Sequence, residues 1–252
     1  MDQPPVALVT GAGRGVGRAV AIRLAEEGYR VALVSRTERE LRDTAAACKG
    51  ETMVLPADVT AVSAADDLFR QVENAWGTVD SLILNAGRNA TAKLPDISDE
   101  MWQEMLELNL TAPFRFLRRA VPPMVQQKFG RIVVIASISA KTGYPYQTAY
   151  AAAKSGLVGA VRCAAVELAR TGVTVNAVCP AYVDTPLTVR TIDTIVERAG
   201  WTRERAVAYV NEHQPIGRMV TADEVAESVW SCVANAAITG QALNVDGGLV
   251  HH

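Results

Sequence analysis

Residues 5–20, PVALVTGAGRGVGRAV, run from an apolar strand through a glycine turn into the opening of a helix. Val6 to Val9 are continuously apolar, the pattern of a strand covered on both faces. Gly11, Gly15 and Gly17 then strip the turn of side chains. Backbone N–H groups exposed in this way can approach a pyrophosphate, whose charge the first helical turn favours. The spacing is Gly-x-x-x-Gly-x-Gly, and Val16 stands where the commoner Gly-x-Gly-x-x-Gly pattern wants its third glycine. No Lys-Ser/Thr pair follows, as a P-loop needs. A glycine-rich turn with no ligand is the plain alternative, and the placement between first strand and first helix favours a dinucleotide.

Working outward, similar runs recur: RVALVS (30–35), TMVLPAD (52–58), VDSLILNAG (79–87), RIVVIAS (131–137), VTVNAVCP (173–180) and ALNVDGG (242–248). Helical-period segments lie between them, including GRAVAIRLAEEGY (17–29), ERELRDTAAACKG (38–50), AADDLFRQVENAWG (64–77) and ADEVAESVWSCVANA (222–236). Strand and helix in regular alternation predict an α/β fold. The expected form is a Rossmann-type, doubly wound parallel sheet of about seven strands with helices on both faces. A single domain is expected over residues 1–252, because glycine and proline do not gather in a linker. Residues 186–218 are longer and more charged than a simple connection requires, and are expected to form a helical lobe or lid over the substrate.

The 252 residues are 49% hydrophobic and 21% charged, with a formal net charge of -2 and a pI near 6.0. That balance argues against nucleic acid or an anionic membrane as the main partner. No apolar run reaches the roughly 20 residues of a membrane span. The first residues carry acidic Asp2 in place of a basic segment, so no signal peptide is read there. Cys48, Cys163, Cys179 and Cys232 are scattered, with no C-x-x-C pair. They read as buried, reduced thiols of a cytoplasmic protein, and no metal site is expected. His251 and His252 receive no role.

The end of the second strand bears on the choice of dinucleotide. A site for NAD usually places an acidic residue there for the ribose 2′-hydroxyl, whereas an arginine accommodates the 2′-phosphate of NADP. Ser35 and Arg36 occupy that point, Arg14 lies in the glycine turn, and no carboxylate stands at the end of the strand. NADP(H) is the expected cofactor; two solvated surface arginines are the alternative. Asp58 and Val59 end the third strand, and Asn85, Ala86 and Gly87 the fourth, where ligands of open α/β sheets bind. A cap for the segment after it is the alternative reading of Asp58.

Ser137 and Ser139 lie just past the fifth strand, and Tyr150 and Lys154 follow on a helix, four residues apart and so on one face. A phenol titrates near pH ~10 and is a sluggish proton donor. A neighbouring cation lowers that value toward the range useful for acid–base work. Ser137 can hold a carbonyl oxygen against the phenol.

On these motifs, from TGAGRGVG to GQALNVDGG, the chain resembles the short-chain dehydrogenase/reductase family, in particular its NADP-linked members. The resemblance implies that Tyr150 is the general acid–base, that Ser137 and not Ser139 positions the substrate oxygen, and that Lys154 binds the nicotinamide ribose. It adds Asn109, in MLELNLTAPF, as the residue maintaining a relay water to the lysine. The dinucleotide contacts it implies begin with Gly11, Arg14, Gly15, Val16 and Gly17, then Ser35, Arg36, Asp58 and Val59. Asn85, Ala86 and Gly87 follow, with Pro180, Val183 and Thr185 after the sixth strand, joined by Tyr150 and Lys154. Where relatives often read Pro-Gly, this chain has Pro180-Ala181, so the loop is expected to leave the sheet differently. The family also implies a homotetramer, or a homodimer, through long helices around 105–127 and 150–170 and the C-terminal strand. The apolar 150–170 segment would suit a core-facing helix equally.

The residues between serine and tyrosine and the 186–218 lobe should shape the pocket. Tyr144, Pro145, Tyr146 and Trp201 offer flat apolar area for a hydrophobic ketone or an acyl thioester, or simply pack the structure. The run QPIGRMVTADEVAESV looks like 3-oxoacyl-thioester and polyketide-type ketoreductases. Lys128 matches one basic position of carrier-protein reductases; the other falls on Thr171, beside Arg170. Arg190, Arg198, Arg203 and Arg205 either meet phosphates of a thioester arm or form a solvated face with Asp193, Glu197 and Glu204. The expected activity is NADPH-dependent reduction of a 3-oxoacyl thioester or related ketone. An oxidative alcohol, sugar or steroid dehydrogenase and a non-catalytic dinucleotide sensor are the competing readings.

Overall fold

The computed structural model describes residues 3–251; Met1, Asp2 and His252 lie outside it, and with them part of the leader reading and of the terminal His pair. Seven strands are present: β1 Val6–Thr10, β2 Arg30–Ser35, β3 Thr52–Pro56, β4 Ser81–Leu84, β5 Gly130–Ile135, β6 Val173–Pro180 and β7 Ala242–Val245. They form one sheet in the order β3-β2-β1-β4-β5-β6-β7, and every pairing is parallel. Chain order reverses between β1 and β4, which pair with Leu8 opposite Leu82. That reversal leaves the crevice in which open parallel sheets bind ligands.

The helices are α1 Gly15–Glu26, α2 Glu38–Ala47, α3 Ala64–Trp76, α4 Asp99–Leu106, α5 Ala112–Gln127, α6 Thr148–Leu168, α7 Pro186–Ala199, α8 Arg203–Glu212 and α9 Ala222–Ala234. Alternate strand residues point to opposite faces, so each uninterrupted apolar run feeds two cores. Leu8, Val34, Leu82, Ile132 and Val134 pack with Phe69 of α3, Phe116 of α5 and Leu157 of α6. Val9, Leu33, Ile83 and Val133 pack on the other face with Leu24 of α1 and Val229 of α9. Phe69 and Phe116 have almost no exposed surface, and burial of such a side chain contributes about 1.5–3 kcal/mol.

The long helix expected over 105–127 is present, α4 running into α5 through a π-type turn, Glu107–Thr111, with helical backbone on both sides. One expectation needs correction here. The thiols are not all buried, since Cys163 is exposed on the outward side of α6 and Cys48 is half-buried. No described helix is long and apolar enough to cross a membrane.

The 186–218 segment contains α7 and α8, with a small apolar cluster of their own around Ile192, Ala206 and Val210. Pro186 sits in the first turn of α7, where its missing N–H costs nothing, and Gly200 ends that helix in the left-handed conformation. Ala181 keeps ordinary backbone angles, and its N–H donates to Val245 O at 3.1 Å. The loop therefore stays tied to the sheet edge without a glycine.

Candidate active site

The C-terminal strand ends open into a cleft of about 930 Å³. Gly11, Arg14, Gly15, Val16, Ser35 and Arg36 line it from the first two strands, and Asp58, Val59, Asn85, Ala86 and Gly87 from the next two. Asn109, Ser137, Tyr150 and Lys154 close one wall, with Pro180, Val183 and Thr185 beside them. Gly17 is the exception among the expected residues, being absent from this lining. A Cβ there would come within 2.2 Å of Gly11 O, so Gly17 brings helix and turn together.

The turn is fastened from β4. Asn85 Nδ2 donates to Thr10 O and Gly11 O, both at 3.1 Å, and the N–H groups of Asn85 and Ala86 donate to Thr10 Oγ1. Gly11 has φ +67°, and a Cβ on it would meet Asn85 Nδ2 at 2.6 Å. Asn85 thus holds the turn, and its amide hydrogens are engaged there. Bare backbone, a helix opening and arginines around a cleft of this size suit a dinucleotide.

At the end of β2 the Ser35 hydroxyl is buried without a hydrogen-bond partner, while Arg36 is exposed. Glu40, from the first turns of α2, also lines the cleft, and its Oε1 lies 3.2 Å from Arg14 Nη1. Thr44 makes the placement by donating toward Ala12 O and Gly13 O across to the glycine turn. The signal available in the sequence was a carboxylate four positions after Arg36, at the start of a helix. Asp58 Oδ1 accepts from the N–H and hydroxyl of Thr60 at 2.9 and 2.7 Å. These bonds, with Arg36 nearby, hold its carboxyl below the usual range. It closes its own turn and does not cap α3, whose N-cap position is Ser63.

The other end of the cleft is buried. Ser137 follows β5 in extended conformation, and its Oγ accepts from Ser139 N at 3.1 Å. Ser139 is turned away: its hydroxyl donates to Gln147 Oε1 at 2.8 Å, and it does not line the cleft. Tyr150 and Lys154 project from the first turns of α6, with Lys154 Nζ 5.7 Å from the phenol ring centre and donating to Ile135 O at 2.7 Å. Burial pushes Tyr150 up to about 12, against the pull of the Ser137 hydroxyl. Burial also brings Lys154 down to about 8. The expected lowering of the phenol by the ammonium is thus not what the structure gives: Tyr150 moves upward, because loss of solvent disfavours both charged forms.

Asn109 sits within the π-type turn and is fully buried. Its Nδ2 donates to Arg88 O and Met105 O, both at 3.1 Å. Its Oδ1 has no partner among the described residues and lies beside Gly87, on the side facing Lys154 Nζ. A buried acceptor left open next to a cation is the kind of group that holds a bridging water.

The surrounding expectations divide. Trp201 is occupied within the lobe, edge-on to Tyr209 and under Arg205. Tyr144, Pro145 and Tyr146 also lie outside the cleft lining. Arg203 pairs with Asp193, and Arg198 donates to Thr91 O at 2.7 Å, tying the lobe to the loop after β4. Arg190 lines the cleft. Lys128 and Thr171 lie between α5 and β5 and between α6 and β6. They are therefore at the strand N-terminal edge, opposite this chain's own cleft.

Comparison with known proteins finds relatives along almost the whole chain. The family model for short chain dehydrogenases matches residues 5–196. A crystal structure of an actinorhodin polyketide ketoreductase variant with NADPH superposes with a TM-score of 0.94 at 38% identity, covering 99% of this chain and 98% of that one. The 3-oxoacyl-acyl-carrier-protein reductase MabA of Mycobacterium avium is 38% identical over 96% of this chain and 88% of its own length. A D-beta-hydroxybutyrate dehydrogenase of Rhizobium meliloti is 34% identical over 96% of this chain and 97% of its own.

Proposed function

The chain belongs to the short-chain dehydrogenase/reductase family of NAD(P)-dependent oxidoreductases, and from that premise we propose that it reduces a 3-oxoacyl thioester with NADPH. The observation that carries the reading is the meeting of Ser137, Tyr150, Lys154 and Asn109 on one wall of the cleft that the glycine turn opens. Arg14, Arg36 and the unpartnered Ser35 hydroxyl support NADPH over NADH, as does the NADPH held by the actinorhodin ketoreductase. The backbone of the glycine turn, Asp58 and Val59 would hold the adenosine half, and Lys154 the ribose of the nicotinamide.

When bound, the reduced nicotinamide supplies a hydride to a carbonyl carbon. The chain's own residues do the rest. Ser137 donates a hydrogen bond to the carbonyl oxygen and fixes its direction. Tyr150, protonated at neutral pH like any phenol and held further so by burial, which raises it to about 12, gives its proton to that oxygen as negative charge develops. An alkoxide is a far stronger base than a phenolate, so the transfer runs downhill. Lys154 stabilises the phenolate left behind, and the open Oδ1 of Asn109 holds the water through which Tyr150 regains a proton.

Arg190 and the α7–α8 lobe would cover the thioester arm. The proposal extends to assembly: Phe114 of α5 and Val166 of α6 are exposed at 45% and 80%, and they support a homotetramer built on those helices, testable by light scattering. The activity is tested with a substrate panel of acetoacetyl thioesters, aromatic diketones, quinones and sugars, followed by loss of reduced-nicotinamide absorbance. Thioesters should turn over best with NADPH. Preferential oxidation of 3-hydroxy acids or sugars by NAD would overturn the reading.

A further inference from the structure

The carboxylate of Glu40 lines the glycine-turn end of the cleft and has no part in the proposed chemistry. Glu40 Oε1 is 3.2 Å from Arg14 Nη1, and the two side chains are 33% and 50% exposed. A Cβ built on Gly13 would lie 3.1 Å from both Glu40 Oε2 and Ser35 Oγ, so the carboxylate and the open hydroxyl flank the same patch of backbone. Thr44 Oγ1 locks this position, lying 3.0, 3.3 and 3.1 Å from Ala12 O, Gly13 O and Glu40 O and sharing its one hydrogen among these acceptors.

We propose that Glu40 is a specificity-determining residue that competes with the cofactor's 2′-phosphate for Arg14 and so limits the preference for NADPH over NADH. The proposal rests on the reading above that this end of the cleft takes the adenosine ribose. A 2′-phosphate carries nearly two negative charges at neutral pH, like other phosphate monoesters. To bind it, Arg14 has to leave Glu40 or bridge the two anions, and Glu40 repels the newcomer in either arrangement. A 2′-hydroxyl has the opposite relation, because a carboxylate accepts its hydrogen bond. Arg36, which makes no ion pair among the described residues, is then the guanidinium open to the phosphate at the outset.

The test is calorimetric titration with 2′,5′-ADP and 5′-ADP, which probe this half of the cleft without turnover. Glu40→Gln keeps the shape and removes the charge. It should raise the preference for 2′,5′-ADP about three- to fivefold, the size expected of a partly exposed charge interaction, and the gain should shrink with added salt. In an Arg14→Gln background the same substitution should change the preference less, because the contested partner is gone. An unchanged ratio in folded Glu40→Gln, or a fall in it, overturns the proposal. Should Glu40→Gln not fold, Arg14→Gln decides alone: undiminished 2′,5′-ADP affinity shows that Arg14 is not contested and overturns it, whereas a selective loss supports it. The parent protein's own ratio reads separately on the cofactor assignment. A parent with no preference that gains one in Glu40→Gln would support the role of Glu40 while sinking NADPH preference.

Discussion

At the glycine-turn end of the cleft, Arg14 and Glu40 leave 50% and 33% of their side chains in solvent; at the other end, Tyr150 and Lys154 expose 9% and 4%. Charges in the first setting are screened and exchange partners readily. In the second setting each charge is dear, which is why the phenol and the ammonium both move toward neutrality. One end is built for choosing a ligand, the other for moving a proton.

The contrast is most exposed to failure at Tyr150. Tyr150→Phe should lose about 10³-fold in turnover while titrating NADPH normally; near-parental activity would mean that the buried end is only packing. Ser137→Ala should lose about 10²-fold, the scale of a donor aimed at developing charge, and its effect should fall on kcat more than on KM. The rate for reduction, read as kcat/KM against pH, should fall as pH rises through about 8, where Lys154 loses its proton, while Tyr150 stays protonated until about 12. A profile with no fall between pH 7 and pH 10 would contradict the buried-lysine account. Arg36→Asp should erode the NADPH-to-NADH ratio about tenfold with little change in kcat. The smallest effect belongs to Ser139→Ala, within about twofold, since that hydroxyl is turned to Gln147.

The sheet could be read from the chain because its strands are continuous apolar runs, a signal independent of neighbours. All seven runs became strands. Tyr150 and Lys154 were readable as a pair because helical spacing alone puts them on one face. Glu40 was not, because its arrival beside Arg14 depends on Thr44 clamping α2 to the glycine turn. The direction in which Tyr150 shifts escaped for a related reason: spacing shows a cation nearby and does not show how completely both groups lose solvent. The aromatic residues before Tyr150 gave the weakest signal, since a tyrosine in a loop looks the same whether it lines a cavity or packs.

The π-type turn at Glu107–Thr111 has a bearing on which length variants the enzyme tolerates. Removing one residue there would let α4 and α5 fuse into an ordinary helix, with better local hydrogen bonding. Yet every side chain downstream of the cut would rotate by about 100° relative to those upstream. Asn109 would swing away from Lys154, or Phe116 from the core. A shortened protein of this kind would gain regularity and surrender its chemistry, so insertions and deletions should be purged from this segment even where point substitutions are accepted.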